Sequence, residues 1–229
     1  MVKRGHLALL AVLAASGLYG CFDVGTANLL VIDNFNSGDL QPLDPGFGTW
    51  MPYLINPGVA STQLLGIDAV DTEDGSTGSM RLAVTVDDQM DGLQQHGGGG
   101  AKTLAVMGAV DFTRYGQIAF DLKLQPGGEH SLPAGALVYL ELGCSSVPAE
   151  LRPLNDLYVL QGVPYANAWH NYALTMGNFG PPPWLAEAIE GGTTACLQHV
   201  DSVRFTIDEQ LADGATGEAI LHIDNLVLW

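Results

Sequence analysis

The side chains able to do chemistry in this chain are carboxylates far more than bases or nucleophiles: 25 Asp and Glu stand against eight Lys and Arg, six His and three Cys. Two acidic clusters stand out, Asp68, Asp71, Glu73 and Asp74 ahead of Gly75, and Asp87, Asp88 and Asp91 ahead of Gly92. Neither has the alternating spacing of a calcium-binding loop, so both read as solvated turns. Glycoside hydrolysis needs two carboxylates facing each other across a cleft, and spacing singles out no such pair. His96, His130, His170, His199 and His222 have neither metal-site nor triad spacing. No serine sits in a GxSxG context, and no cysteine has a nearby activating partner. The chain is therefore read as a non-enzyme. The four glycines Gly97–Gly100 invite comparison with a phosphate loop. They lack the lysine and hydroxyl residue followed by a helix that such a loop requires, and they read as a flexible turn before a strand starting near Lys102. What remains are large rings with a polar handle: Trp50, Tyr53, Tyr139, Tyr158, Tyr165, Trp169 and Trp184.

The elements that must position these groups are strands. From about Asn28 onward the chain breaks into short apolar or alternating runs separated by Gly, Pro, Asn and Asp, the pattern of an antiparallel β domain. Ser79–Val86 alternates Met80, Leu82, Val84 and Val86 with Arg81, Ala83 and Thr85, which turns one face inward. Gln117–Leu124 repeats the signal, and 137–142, 171–176, 200–207 and 219–229 add further strands. At least eight strands with no intervening helix imply two packed sheets or a barrel. The one helical candidate is Leu185–Ile189, after the triple proline Pro181–Pro183 and before Gly191 and Gly192. No internal repeat or interdomain linker is visible. With a hydrophobic content of 47% and 14% charged residues, the chain has the material for a buried core rather than a charge-expanded coil.

The N-terminal residues are set apart. Lys3 and Arg4 precede an apolar run from Leu7 to Leu18 that ends in LYGC, the layout of an export signal and too short to span a bilayer. The LYGC ending resembles the lipobox of bacterial lipoproteins, with Tyr19 as its one departure. The resemblance implies cleavage after Gly20 and acylation of Cys21, hence a signal peptide over 1–20, a tether over 21–27 and a single β domain over 28–229. Phe22, standing where an aspartate would retain a lipoprotein in the inner membrane, leans the expectation toward the outer membrane of a bacterial envelope. With Cys21 lipidated, Cys144 and Cys196 form an even pair in an oxidising compartment and are expected to be disulfide-bonded. Removing the signal takes two basic and no acidic residues, which moves the net charge from −17 to −19. Nucleic acid and anionic lipid headgroups are repelled by such a domain, so the membrane is reached through the lipid anchor alone.

Taken in order, VIDNFNSGD, GSMRLAVTV, VDFTRYGQIAFDLKL, WHNYALTM and GEAILHIDNLVLW resemble the galactose-binding-like jelly rolls, in particular carbohydrate-binding modules and the complex I intermediate-associated domain. The resemblance implies an all-β, two-sheet antiparallel sandwich. It also implies a structural calcium ion held where the first and last strands meet, at Asp33, Asn36 and Asp224, with Asn36 standing where relatives have glutamate. Ligands of such folds stack on exposed rings. Trp184, after three prolines, and Trp50 with Tyr53, in a Pro- and Gly-rich stretch, are the candidates; Trp169 matches a packing residue of relatives. The expected function is non-catalytic binding of a glycan or other extracytoplasmic ligand. The alternatives are a structural or protein-binding lipoprotein and, third, a polysaccharide hydrolase.

Overall fold

A computed structural model describes residues 29–55, 61–73, 75–87, 96–104, 108–127, 137–144, 157–158, 166–180, 192–209 and 216–229. The lipobox-like segment with Cys21, the helical candidate Leu185–Ile189 and Trp184 lie outside the described residues.

Eleven strands are described: β1 (Leu30–Asp33), β2 (Trp50–Ile55), β3 (Thr62–Asp68), β4 (Ser79–Asp87), β5 (His96–Thr103), β6 (Gln117–Pro126), β7 (Leu137–Cys144), β8 (Leu157–Tyr158), β9 (Ala166–Thr175), β10 (Val200–Glu209) and β11 (Thr216–Leu228). They form two sheets. One runs β3-β4-β11-β6-β9 with β1 also paired to β11, and the other runs β2-β5-β10-β7-β8. Every pairing is antiparallel. The protein is an all-β, two-sheet jelly-roll sandwich, as the sequence implied.

Period-two alternation builds the core between the sheets. Leu82 and Val84 of β4, Phe120 and Leu122 of β6, Leu140 of β7 and Phe205 of β10 are all at or near zero exposure. Phe120 meets Phe205 edge-on across the sandwich at 5.1 Å between centroids. Strand β11 buries Ala219, Leu221 and Ile223, then changes phase and buries Leu226 and Leu228. A bulge between Asp224 and Val227 supplies the extra residue, with Asn225 at φ +50°. Without it, half of the strand would turn its apolar side outward.

One expectation about loops is corrected. Gly97–Gly100 are not a turn: they lie inside β5, hydrogen-bonded to β2 on one side and β10 on the other. Close packing explains the residue type, because a Cβ on Gly98 would come within 3.0 Å of the Tyr53 carbonyl oxygen and of Val84 Cγ1. Further along, Gly192 begins the short helix α1 (Gly192–Leu197). This helix carries Cys196, which is disulfide-bonded to Cys144 at the end of β7, as expected from the cysteine count. Among the described residues, no helix is long and apolar enough to cross a membrane.

Candidate functional site

The outward side of the five-stranded sheet brings together groups from four strands. In one row of the register Tyr53 of β2 lies beside Gly99 of β5, then Thr206 of β10, then Tyr139 of β7. The next row runs Met51, Ala101, Arg204 and Glu141. The row on the opposite phase, Trp50, Lys102, Val203 and Leu142, faces the core.

Gly99 lets the ring of Tyr53 lie flat on the sheet. A Cβ at Gly99 would stand 2.5 Å from Tyr53 Oη and 2.6 Å from its Cζ, so any side chain there would lift the ring. The phenol reaches Thr206 Oγ1 on the next strand. Thr206 has one hydroxyl proton and donates it to Glu141 Oε2 at 2.9 Å, so Tyr53 is the donor in its own bond. Arg204 Nε lies 3.1 Å from the same Glu141 oxygen, and its guanidinium is 5.7 Å from the Tyr53 ring centroid. Burial pushes the Tyr53 phenol well above its ordinary range, and the Glu141 carboxylate adds to the effect; the phenol stays protonated as a donor. Burial also raises Glu141, opposed by Arg204 and the Thr206 hydroxyl. The result is a flat aromatic floor beside a charge-compensated polar network. Such a surface can take the apolar face of a ring while hydroxyl groups exchange hydrogen bonds at its edge. Glu141 is already committed to Arg204 and Thr206, which is not the state of a free general acid.

Of the candidate ligand residues, Tyr53 is on this face and Trp50 is not. Three positions apart on one strand, the two side chains point to opposite sides. Trp50 is 1% exposed, packs against Phe35 and Phe205, and donates Nε1–H to Asp33 Oδ2 at 2.9 Å, so it is a core residue. Trp169, on β9 of the other sheet, sets its ring edge against His222. Tyr139 was not selected from the sequence, yet it falls in a row of this face. The usable signal was the alternation in LVYLELGC, where Tyr139 and Glu141 interleave with Val138, Leu140 and Leu142.

The calcium candidates do not assemble into an ion shell. Asp33 Oδ1 accepts the Phe35 N–H, while Oδ2 accepts Trp50 Nε1–H and the Lys102 ammonium at 2.8 Å. Asn36 Oδ1 accepts from the Ser76 hydroxyl and from both the N–H and hydroxyl of Thr77. Asp224 Oδ1 accepts the Asn225 N–H, and its buried Oδ2 has no hydrogen-bond partner among the described residues. Burial raises Asp224 to a pKa of about 7, with the nearby Asp121 and Glu73 charges adding to the shift. Asp33 and Asn36 are thus engaged by protein hydrogens. Among the described residues, no group of three or more His, Cys, Asp or Glu is arranged to hold a metal ion.

The first acidic cluster is more than a solvated turn. Asp71 receives Lys123 Nζ at 2.6 and 2.8 Å and lies 3.9 Å from His222 Nε2. Ser79 Oγ is 3.4 Å from the other nitrogen of His222 but donates to the Asp71 carbonyl at 2.7 Å. Ser79 and His222 are buried, so this is a clamp holding the loop after β3 to the sheet, without an accessible nucleophile.

No protein-family model matches the chain, and no curated protein matches it. Solved structures do. A family 11 carbohydrate-binding module of the cellulosomal cellulase Lic26A-Cel5E of Clostridium thermocellum is 16% identical over 89% of this chain and 95% of its own, with a TM-score of 0.50. A family 11 module from the same organism, in complex with a β-1,3-1,4-mixed-linked tetrasaccharide, is 16% identical over 78% of this chain and 87% of its own, with a TM-score of 0.47. A family 30 carbohydrate-binding module is 15% identical over 80% of this chain and 91% of its own, with a TM-score of 0.46. At these identities the likeness is one of fold.

Proposed function

We propose that this chain is a non-catalytic, exported lipoprotein whose sandwich binds a glycan on the outward face of the five-stranded sheet. The observation that carries the reading is Tyr53. Its ring is laid flat over Gly99, and its hydroxyl is tied through Thr206 to the Glu141–Arg204 pair. The ring therefore offers a face at a fixed height, which lowers the ordering that binding has to bring about. Tyr139 extends the same row by one strand. Solved neighbours with this sandwich are carbohydrate-binding modules, which supports the class of ligand without fixing the sugar. Acylation of Cys21 would hold the domain at the envelope surface, where polysaccharides are met.

The test is a glycan array probed with the folded chain and with Tyr53→Ala. The wild type should bind at least one glycan, and Tyr53→Ala should weaken that binding by about tenfold or more, the loss of one aromatic stacking contact with its buried area. An unchanged affinity in Tyr53→Ala, or a folded wild type that binds no glycan, sinks the proposal. Turnover of a bound polysaccharide would replace it with the hydrolase alternative.

A further inference from the structure

Lys102 and Asp33 form an ion pair in the middle of the sandwich, at 0% and 1% side-chain exposure and 2.8 Å apart. Lys102 belongs to β5 of the five-stranded sheet and Asp33 to β1 of the other, so the pair crosses the core from one sheet to the other. Either charge alone would be strongly unfavourable there, because desolvation of an unpaired ion costs several kcal/mol or more. Two further donors hold the carboxylate. Trp50 Nε1–H donates to the same Asp33 oxygen as Lys102 and the Phe35 N–H to the other, and the Lys102 ammonium lies 5.6 Å from the centroid of the Trp50 ring. A cation entering this site would have to displace those donors and would meet the ammonium at close range.

We propose that the Lys102 ammonium supplies, at the β1 carboxylate, the positive charge that the jelly-roll resemblance would have assigned to a calcium ion. The first strand is then fastened to the opposite sheet by a lock contained wholly within the chain. Asn36 fits this assignment. Its amide oxygen is spent on Ser76 and Thr77 and not on an ion. This inference is independent of what the domain binds.

Thermal unfolding of the full chain tests it, first in excess EDTA and then in added calcium. The wild-type midpoint should be the same in both. Lys102→Met, which leaves Asp33 buried without its counter-charge, should lower the midpoint by on the order of 10 °C. Asp33→Asn combined with Lys102→Met, which removes both charges, should recover at least half of that loss, or should restore folded protein if Lys102→Met alone yields none. A wild-type midpoint that falls in EDTA overturns the proposal. So does a Lys102→Met chain that unfolds where the wild type does, or a double variant no better than Lys102→Met.

Discussion

Burial makes Asp224 a proton-linked element of stability. Its folded pKa, about 7, lies above its ordinary value, so between those limits the folded state holds a proton that the unfolded chain has released. The contribution is therefore fully present in acid and is lost as pH rises through about 7. Its upper bound is about 4 kcal/mol, at 1.36 kcal/mol for each unit. Unfolding midpoints measured from about pH 4 to pH 8 should decline on this account, and Asp224→Asn should flatten the decline. A slope identical in the variant would remove Asp224 as its source. Sequence alone named Asp33, Asn36 and Asp224 but could not say what surrounds them. The partner of Asp33 is a lysine 69 residues away, and nothing local marks Lys102 as a core residue. Tyr53 was recognised for its composition-rich surroundings, although what makes it useful is the absence of a side chain on a different strand.

Strands announced by apolar alternation were read well, with ends off by a few residues. Ser79–Asp87 and Gln117–Pro126 extend the expected runs by one and two residues. Strand β5 escaped because a run of glycines has no side chains to alternate; its identity comes from the ladders it makes with β2 and β10. Its glycines also differ in kind from the one in β3. Adding a methyl at Gly99 brings it against the Tyr53 ring and the Phe205 carbonyl oxygen, whereas a Cβ at Gly66 meets nothing within 4 Å. Gly99→Ala should therefore destabilise the fold by about 3 kcal/mol or more, as overpacking against a fixed backbone does. Gly66→Ala should be neutral or stabilising by about 0.5 kcal/mol through the unfolded chain. Chemical denaturation of the two variants side by side checks this, and equal effects would mean that β5 is not packed as described.

At the scale of the whole molecule, the sandwich is cross-linked as well as packed. The Cys144–Cys196 bridge closes a loop of 52 residues, which in the chain-entropy account stabilises by about 4 kcal/mol. A disulfide in the core suits the oxidising compartment that the proposed export would lead to. Mass spectrometry of the protein from its native membrane should find cleavage after Gly20 and acyl chains on Cys21. A plain processed N-terminus, or retention of residues 1–20, would remove the lipoprotein part of the proposal. Fold class and disulfide were legible in the sequence because alternation and cysteine parity are chain-wide signals. The binding face was only partly so, because it is assembled from single residues on four strands.

The position of β11 gives the sandwich a direction in time. It is the last strand described, and it lies at the centre of its sheet, paired to β1, β4 and β6. A chain emerging N-terminus first, from a ribosome or through a translocation pore, cannot close that sheet until residues 216–228 have followed the rest. Until then β1, β4 and β6 lack the strand they share. Completion of the six-stranded sheet is therefore a late event in the making of this fold.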